Sequence, residues 1–452
     1  MRGSWVRVPR GPRRRYVRKA RMRNHFRPRV LFVAAHDSSG GAARAVHRVF
    51  QSIRTELGQE LDIFFRVIHK TRNDPKIIGG KPTRSPLEHW DYLLRTRFRK
   101  YFPRRPFESA NRVLHSQARF KTGLAREIND NCPDVIMLGW LGNSTLSIEE
   151  IGALAAPVVW RLSDMWMFAG AEHYTPDSRY EDGYSRQSRP THESGPDINR
   201  ETFLRKTRHW QHPRHVICPS TWMATQVKKS QLTKEWPVHV IPNPIDTDIW
   251  APVPRSIART ELGLSDKDLI VLFGAGGGTR DHHKGPDIFF RALSTLQALL
   301  EQAGDQRTLC AVVFGEAGPE KIVGSVPVKF LGHLGDQDLR LAYSAANVMV
   351  VPSRLDNFPS TAVEAQSCGT PVAAFRVGGL VDIVDDTVTG KLANPEDSTD
   401  LARAIAWIVE DGNREKSLSI GARTRAIELW NPTRVAEQYA AVLLAASRRD
   451  QK

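Results

Sequence analysis

The sequence predicts an α/β protein built on two parallel sheets, and three observations predict it. Short apolar runs alternate with helical stretches from residue 29 onward. A proline-rich segment at 241–246 interrupts that alternation, and a second series of the same kind starts at 269. Runs that are apolar at every position suit strands covered on both faces, and strands separated by helices imply βαβ units.

The first series opens with a strand at 30–35, which breaks at His36-Asp37-Ser38-Ser39-Gly40-Gly41. A helical pattern follows through Ala45, Val46, Val49, Phe50 and Ile53, and residues 61–68 read as the second strand. Further strands are expected at 135–138, 158–162, 215–218 and 238–241. Pro242 and Pro244 cannot sit inside a central strand or a helix, so 241–246 is a turn or interdomain linker. Beyond it, strands are expected at 269–273, 310–314, 328–331, 348–351 and 371–375. A helix starts near Ser360, another covers 401–409, and a last one covers 432–447, either staying on the second half or packing back across the hinge. Two stretches stand outside the alternation. Residues 69–121 are basic and aromatic, residues 164–200 are polar, and both are longer than ordinary connections, so they read as functional insertions or mobile loops.

The expected domains are a basic, disordered leader at 1–28, a first domain at 29–245, a second at 246–430, and the terminal helix within 431–452. The chain has 452 residues, 65 Lys+Arg against 49 Asp+Glu, and a formal net charge of +16. Residues 1–29 carry twelve basic side chains and no acid; removing those twelve charges leaves +4 for the rest. The excess is thus mostly a leader, or a stretch preceding a true start at Met22. No nucleic-acid recognition module accompanies it. Four well-separated cysteines exclude a disulfide scaffold, and no apolar run reaches the ~20 residues of a membrane span. The expected compartment is the cytoplasm.

Three segments carry chemistry. Gly40-Gly41, between a strand and a helix, either brings a phosphate to the helix start or merely serves a tight turn. The loop at 274–285 follows the first strand of the second half, where ligands bind in open α/β sheets. Its glycines open the backbone, and Arg280 and Lys284 can neutralise a diphosphate; a solvated loop is the alternative. Asp356 and Glu364 flank a strand–loop–helix corner, where two carboxylates suit sugar hydroxyls or acid–base work, or form a solvated acidic loop. No cluster has the spacing of a metal cage.

These stretches together resemble glycosyltransferase family 4, retaining enzymes of the GT-B fold. The resemblance is carried by HKG at 283–285, VKFLGHLGD at 328–336, ANVMVVPSRLDNFPSTAVEAQSCGTPVAAF at 346–375 and GGLVDIV at 378–384. In the first half, DSSGGAARA at 37–45, VVWRLSDMWMFAGAEHY at 158–174, CPSTWM at 218–223 and VIPNPIDTDIW at 240–250 resemble the branch that builds bacterial surface polysaccharides. The resemblance implies two Rossmann-like domains facing across a cleft. It implies transfer of a hexose from a nucleotide-diphosphate sugar to a saccharide or lipid-linked acceptor, with no metal or other cofactor. Glu364 resembles the acid that holds the ribose, and Asp356 stands where a Glu usually contacts the transferred hexose. Lys284 resembles the lysine that binds the diphosphate. Asn357, Phe358, Pro359, Ser360 and Thr361 resemble the loop whose amides meet sugar and phosphate. Gly40 and Gly41 match glycines that approach the diphosphate from the other domain, while Gly332 and His333 border the base. On the acceptor side the resemblance points to Asp164 and His173.

The departures are specific. Ala275 stands where the family usually has an Arg, for which Arg280 is the candidate substitute. Ser163 and Gly139 replace histidines common in the branch, and its cysteine pairs after His173 are missing. They motivate an alternative, a catalytically degenerate protein that binds a nucleotide sugar or glycan. Residues 90–121, with Arg and Lys among Trp, Tyr and Phe, suit either an anionic membrane surface presenting the acceptor or a solvated helix.

Overall fold

The computed structural model describes residues 27–82, 90, 107–142, 145–274, 276 and 278–447. The basic leader up to residue 26, most of the basic-aromatic stretch 90–106, and Ala275 lie outside the described residues.

Two seven-stranded sheets organise the chain. The first contains β1 Arg29–His36, β2 Asp62–His69, β3 Ile77–Ile78, β4 Val135–Leu138, β5 Val158–Arg161, β6 His215–Cys218 and β7 Val238–Val240. Its order is β3-β2-β1-β4-β5-β6-β7, and every pairing is parallel. The second contains β8 Asp268–Gly274, β9 Thr308–Phe314, β10 Lys321–Val323, β11 Val326–Phe330, β12 Val348–Val351, β13 Val372–Phe375 and β14 Gly390–Ala393. Its order is β10-β11-β9-β8-β12-β13-β14, parallel except for the β10/β11 hairpin.

The helices are α1 Gly40–Leu57, α2 Leu124–Asp130, α3 Ile148–Gly152, α4 Ile198–His209, α5 Thr221–Lys229, α6 Arg255–Glu261 and α7 Pro286–Gln302. They continue with α8 Asp336–Ala345, α9 Ser360–Ser367, α10 Leu380–Ile383, α11 Ser398–Val409, α12 Gly412–Trp430 and α13 Pro432–Ser447. Sheets with helices on both faces bury their central strands completely: Val135–Leu138, His215–Cys218 and Val348–Val351 are buried at every position. Strand order reverses beside β1 in the first sheet and beside β8 in the second, so the carboxyl ends of these strands open the crevices where ligands bind.

The chain crosses between the domains twice, and Ile245 N–H donates to Trp430 O at 2.9 Å where the crossings meet. Beyond the second crossing, α13 packs on the first domain. Its Val435, Tyr439 and Leu443 share a core with Val30 and Phe32 of β1 and Val46 and Val49 of α1. The 164–200 stretch is a packed part of the first domain. Trp160, Trp166, Phe168, Tyr180 and Tyr184 belong to its core. The fully buried Lys206 of α4 donates to the carbonyls of Trp166, Ala169 and Gly170 and lies 4.1 Å from the Trp166 ring centroid.

Candidate functional site

On the second domain, the site begins where the HKG turn meets the loop after β12. Gly285 has φ +68°, and a Cβ there would fall 2.0 Å from Pro352 O, so only glycine closes this turn. Arg354 N–H donates to His283 O at 2.8 Å, and the Arg354 guanidinium forks onto Asp287 at 3.0 and 2.8 Å. That fork holds the Asp287 carboxyl down at about 2. The lacing brings Lys284 Nζ to 2.5 Å from Asp356 Oδ2, with Ser353 Oγ at 3.4 Å. Burial opposes the lysine's charge, but Asp356 outweighs it by charge and hydrogen bond, and the Lys284 pKa is raised. An ammonium is therefore fixed at the cleft floor.

Glu364, one turn into α9, is 1% exposed. Its Oε2 accepts from Tyr343 Oη–H at 2.9 Å, and its Oε1 accepts from Arg48 Nη2 at 2.6 Å. Arg48 belongs to α1 of the first domain. Burial, then the Glu364 charge, pushes the Tyr343 phenol well above its usual range. Asp356 and Glu364 thus share one corner but are held by different partners.

The intervening residues divide their work. Asn357 Oδ1 accepts from Ser220 Oγ of the first domain at 2.9 Å. Phe358 is buried against the Trp430 ring, with centroids 6.1 Å apart, which leaves its backbone rather than its side chain for a ligand. Pro359 precedes α9 in extended conformation; the first turn, with Ser360 and Thr361 half-buried, contains no acid. Two glycines of the GGLVDIV stretch, to which the motif reading assigned no role, set the loop's position. A Cβ on Gly378 would lie 2.0 Å from Asp356 O, and one on Gly379 would lie 1.6 Å from Asn357 O. The consecutive glycines after β13 were the available signal.

Beside the expected base position, Gly332 has φ +72° and its N–H donates to Glu316 O at 3.1 Å, while Gly315 N–H donates to Gly332 O at 2.7 Å. His333 is exposed beside them. Glu316 accepts from Thr279 N–H at 2.8 Å and from its hydroxyl, bonds that lower the Glu316 pKa. Arg280 ends the same short turn and is exposed.

Facing this corner, Gly40 begins α1 with φ +83°, and a Cβ on either Gly40 or Gly41 would meet nothing within 4 Å. The helix start has no side-chain cap and no acid in its first turn, as an anion-facing terminus requires. Asp37 anchors the neighbouring loop by accepting from Thr71 N–H at 2.9 Å and Arg72 N–H at 2.9 Å. Across the gap, Asp382 caps α5 by accepting from Thr221 N–H at 2.9 Å and from the Thr221 hydroxyl.

Asp164 and His173 meet in the first domain's part of the cleft. Asp164 Oδ2 accepts from Trp140 Nε1–H at 2.8 Å and lies 2.6 Å from His173 Nδ1; Oδ1 accepts from Trp166 N–H at 3.0 Å. His173 Nε2 lies 2.7 Å from the buried Ser116 Oγ. Beside the pair, the Trp140 ring stacks with His36 at a centroid distance of 6.3 Å, and His36 in turn stacks with His69 at 4.5 Å. Burial, then the neighbouring His69, lowers the His36 pKa. A Cβ at Gly139 would fall 2.7 Å from Val46 Cγ2, so a side chain there requires Val46 to shift. Among the described residues, no group of three His, Cys, Asp or Glu is arranged to hold a metal, and no helix is long and apolar enough to cross a membrane.

Comparison with known proteins agrees with this layout. Residues 255–425 match the family described as glycosyl transferases group 1. A D-inositol 3-phosphate glycosyltransferase of Saccharomonospora viridis is 33% identical over 222 residues, 45% of this chain and 50% of the relative. The chain thus spans about half the length of the curated relatives it matches. Sucrose-phosphate synthase from Thermosynechococcus elongatus superposes with TM-score 0.63 at 20% identity, covering 93% of this chain and 100% of the other. HepE from Anabaena, in complex with UDP and glucose, gives 0.62 at 18%, covering 92% and 99%. The fold is GT-B: two Rossmann-like parallel-sheet domains facing across a cleft.

Proposed function

We propose that this protein is a retaining glycosyltransferase that moves a hexose from a nucleoside-diphosphate sugar to a hydroxyl of a saccharide or lipid-linked acceptor. The observation that carries this reading is the Lys284–Asp356 pair beside the buried Glu364, opposite the open glycine start of α1. In this reading Glu364 takes the ribose, Asp356 the hexose, and the diphosphate lies between Lys284, Arg280 and the amides of Ser360, Thr361 and Gly41. Gly332 and His333 border the base. The barrier falls by positioning and by neutralising the departing diphosphate. Asp164, already engaged by Trp140, Trp166 and His173, fits a reaction in which the leaving phosphate rather than a protein base takes the acceptor proton. No resident metal is part of the proposal.

HepE, seen with UDP, and the group 1 match make UDP-sugars the first donors to try. A thermal-shift screen across UDP-, GDP- and ADP-sugars tests the reading, because a donor stabilises the fold by mass action. At a hundred times its Kd, a donor adds about 2.7 kcal/mol. No shift with any of them, and Glu364→Ala behaving as wild type, would refute it.

The proposed setting is surface-polysaccharide assembly at the cytoplasmic face of a membrane, with the basic-aromatic residues 90–121 meeting anionic lipid. Sedimentation with anionic liposomes at low and high salt decides that part; absence of binding at both salts removes it. The departures at Ser163, Gly139, Ala275 and Asp356 motivate the degenerate binding protein as the alternative. Tight donor binding with no sugar transfer to any membrane-extract acceptor would establish that reading.

A further inference from the structure

Arg48 joins the two domains at the donor corner. A carboxylate buried as deeply as Glu364 is held by a countercharge and hydrogen bonds. The cation bonded to it here comes from the opposite domain, since Arg48 lies two turns into α1. One turn earlier, Arg44 reaches Asp336 at the start of α8 at 3.7 Å. The Arg48 guanidinium carbon also lies 5.4 Å from the Trp250 ring centroid, and Trp250 packs 6.0 Å from Tyr343, the second partner of Glu364. Glu364 is therefore gripped by Arg48 on one oxygen and Tyr343 on the other. Each carboxylate oxygen can accept twice, so one acceptor position remains on each.

We propose that Arg48 is a positioning residue for the donor. It turns Glu364 toward the ribose hydroxyls and, because it arrives from the first domain, makes nucleotide affinity depend on the two domains being together. This rests on the donor reading of Glu364 given above. It assigns a cross-domain role to α1 beyond the phosphate-facing glycines at its start.

The test is titration calorimetry with UDP on wild type, Arg48→Ala, Arg48→Lys, Glu364→Gln and the Arg48→Ala/Glu364→Gln double variant. Arg48→Ala is expected to weaken UDP about tenfold, the loss of one charge-assisted hydrogen bond. Arg48→Lys should recover most of it, because a single N–H···O contact is involved. In the Glu364→Gln background the alanine change should add almost nothing, whereas a general structural defect would add its full effect. With a transferable donor, Arg48→Ala should raise KM more than it lowers kcat. If wild type binds UDP and Glu364→Gln weakens it, yet Arg48→Ala binds as well as wild type, more tightly, or with additive effects, the inference is overturned while the donor reading stands. If wild type fails to bind UDP, or Glu364→Gln leaves binding unchanged, the donor reading falls and the inference with it.

Discussion

Replacing Lys284 by alanine separates what this lysine does for the fold from what it does for chemistry. Its side chain is 32% exposed, against 10% for Asp356, and the two charges meet at 2.5 Å. The pair therefore lies between an exposed ion pair, worth about 0–1 kcal/mol, and a buried one, whose breakage costs about 3–5 kcal/mol. Lys284→Ala should cost about 2 kcal/mol, chiefly because Asp356 is left buried without its cation. Lys284→Ala/Asp356→Asn removes that carboxylate charge and should regain most of the lost stability. Neither variant regains the cation proposed to meet the diphosphate, so both should transfer sugar about 100- to 1,000-fold more slowly than wild type. Urea unfolding measures the first effect, and steady-state release of nucleoside diphosphate measures the second. Because the Lys284 pKa is raised on folding, its stabilising contribution is complete below the ordinary lysine value and is lost only as pH rises through the higher folded one. The stability difference should thus be constant across neutral pH. Recovery of turnover along with stability in the double variant would refute the assignment of Lys284 to the diphosphate.

Three further outcomes follow from the geometry. Burial, then Asp177 and Glu193, raises the Glu172 pKa to about 8, while the unfolded chain ionises near 4.5. Stability should therefore fall as pH rises between these values, by on the order of a few kcal/mol in all, and Glu172→Gln should flatten thermal melts over that range. Gly379→Ala places a Cβ 1.6 Å from the backbone oxygen of Asn357, so the donor loop must move; nucleotide binding by calorimetry should fall at least tenfold (about 1.4 kcal/mol). Gly139→Ala should destabilise by about 1–3 kcal/mol through contact with Val46, and Val46→Ala should partly relieve it in urea unfolding of the double variant.

The parallel strands were legible in sequence because burial on both faces makes each a continuous apolar run, as in VMVV at Val348–Val351. The edges were not. Ile77–Ile78 is two residues long, Lys321–Val323 is exposed at its first two positions, and Gly390–Ala393 begins with glycine and lysine. Helix α12 was also missed: its buried positions are Glu415, Leu418, Ala422, Ala426 and Trp430, among which Leu418 and Trp430 supply the only large apolar side chains. In the site, motif spacing placed Asp356 and Glu364 in one corner, and only the family resemblance brought Lys284 to the same donor. Neither carried anything about their partners across the cleft, because Arg48 and Glu364 stand 316 positions apart and are joined only by the closing of two domains. Asp164 shows the same limit. The resemblance pointed to it on the acceptor side without its partners, whereas folding surrounds it with Trp140, Trp166 and His173.

The Lys284–Asp356–Glu364 corner is proposed to receive a nucleoside-diphosphate sugar and release the diphosphate. Phosphorus NMR of purified protein with UDP-, GDP- and ADP-hexoses, with and without a membrane-extract acceptor, tests it most directly. One donor should be converted to its nucleoside diphosphate, faster with acceptor, and Glu364→Gln and Lys284→Ala should slow the conversion about 100-fold or more. Every donor remaining intact, or one converted equally by wild type and both variants, would contradict it.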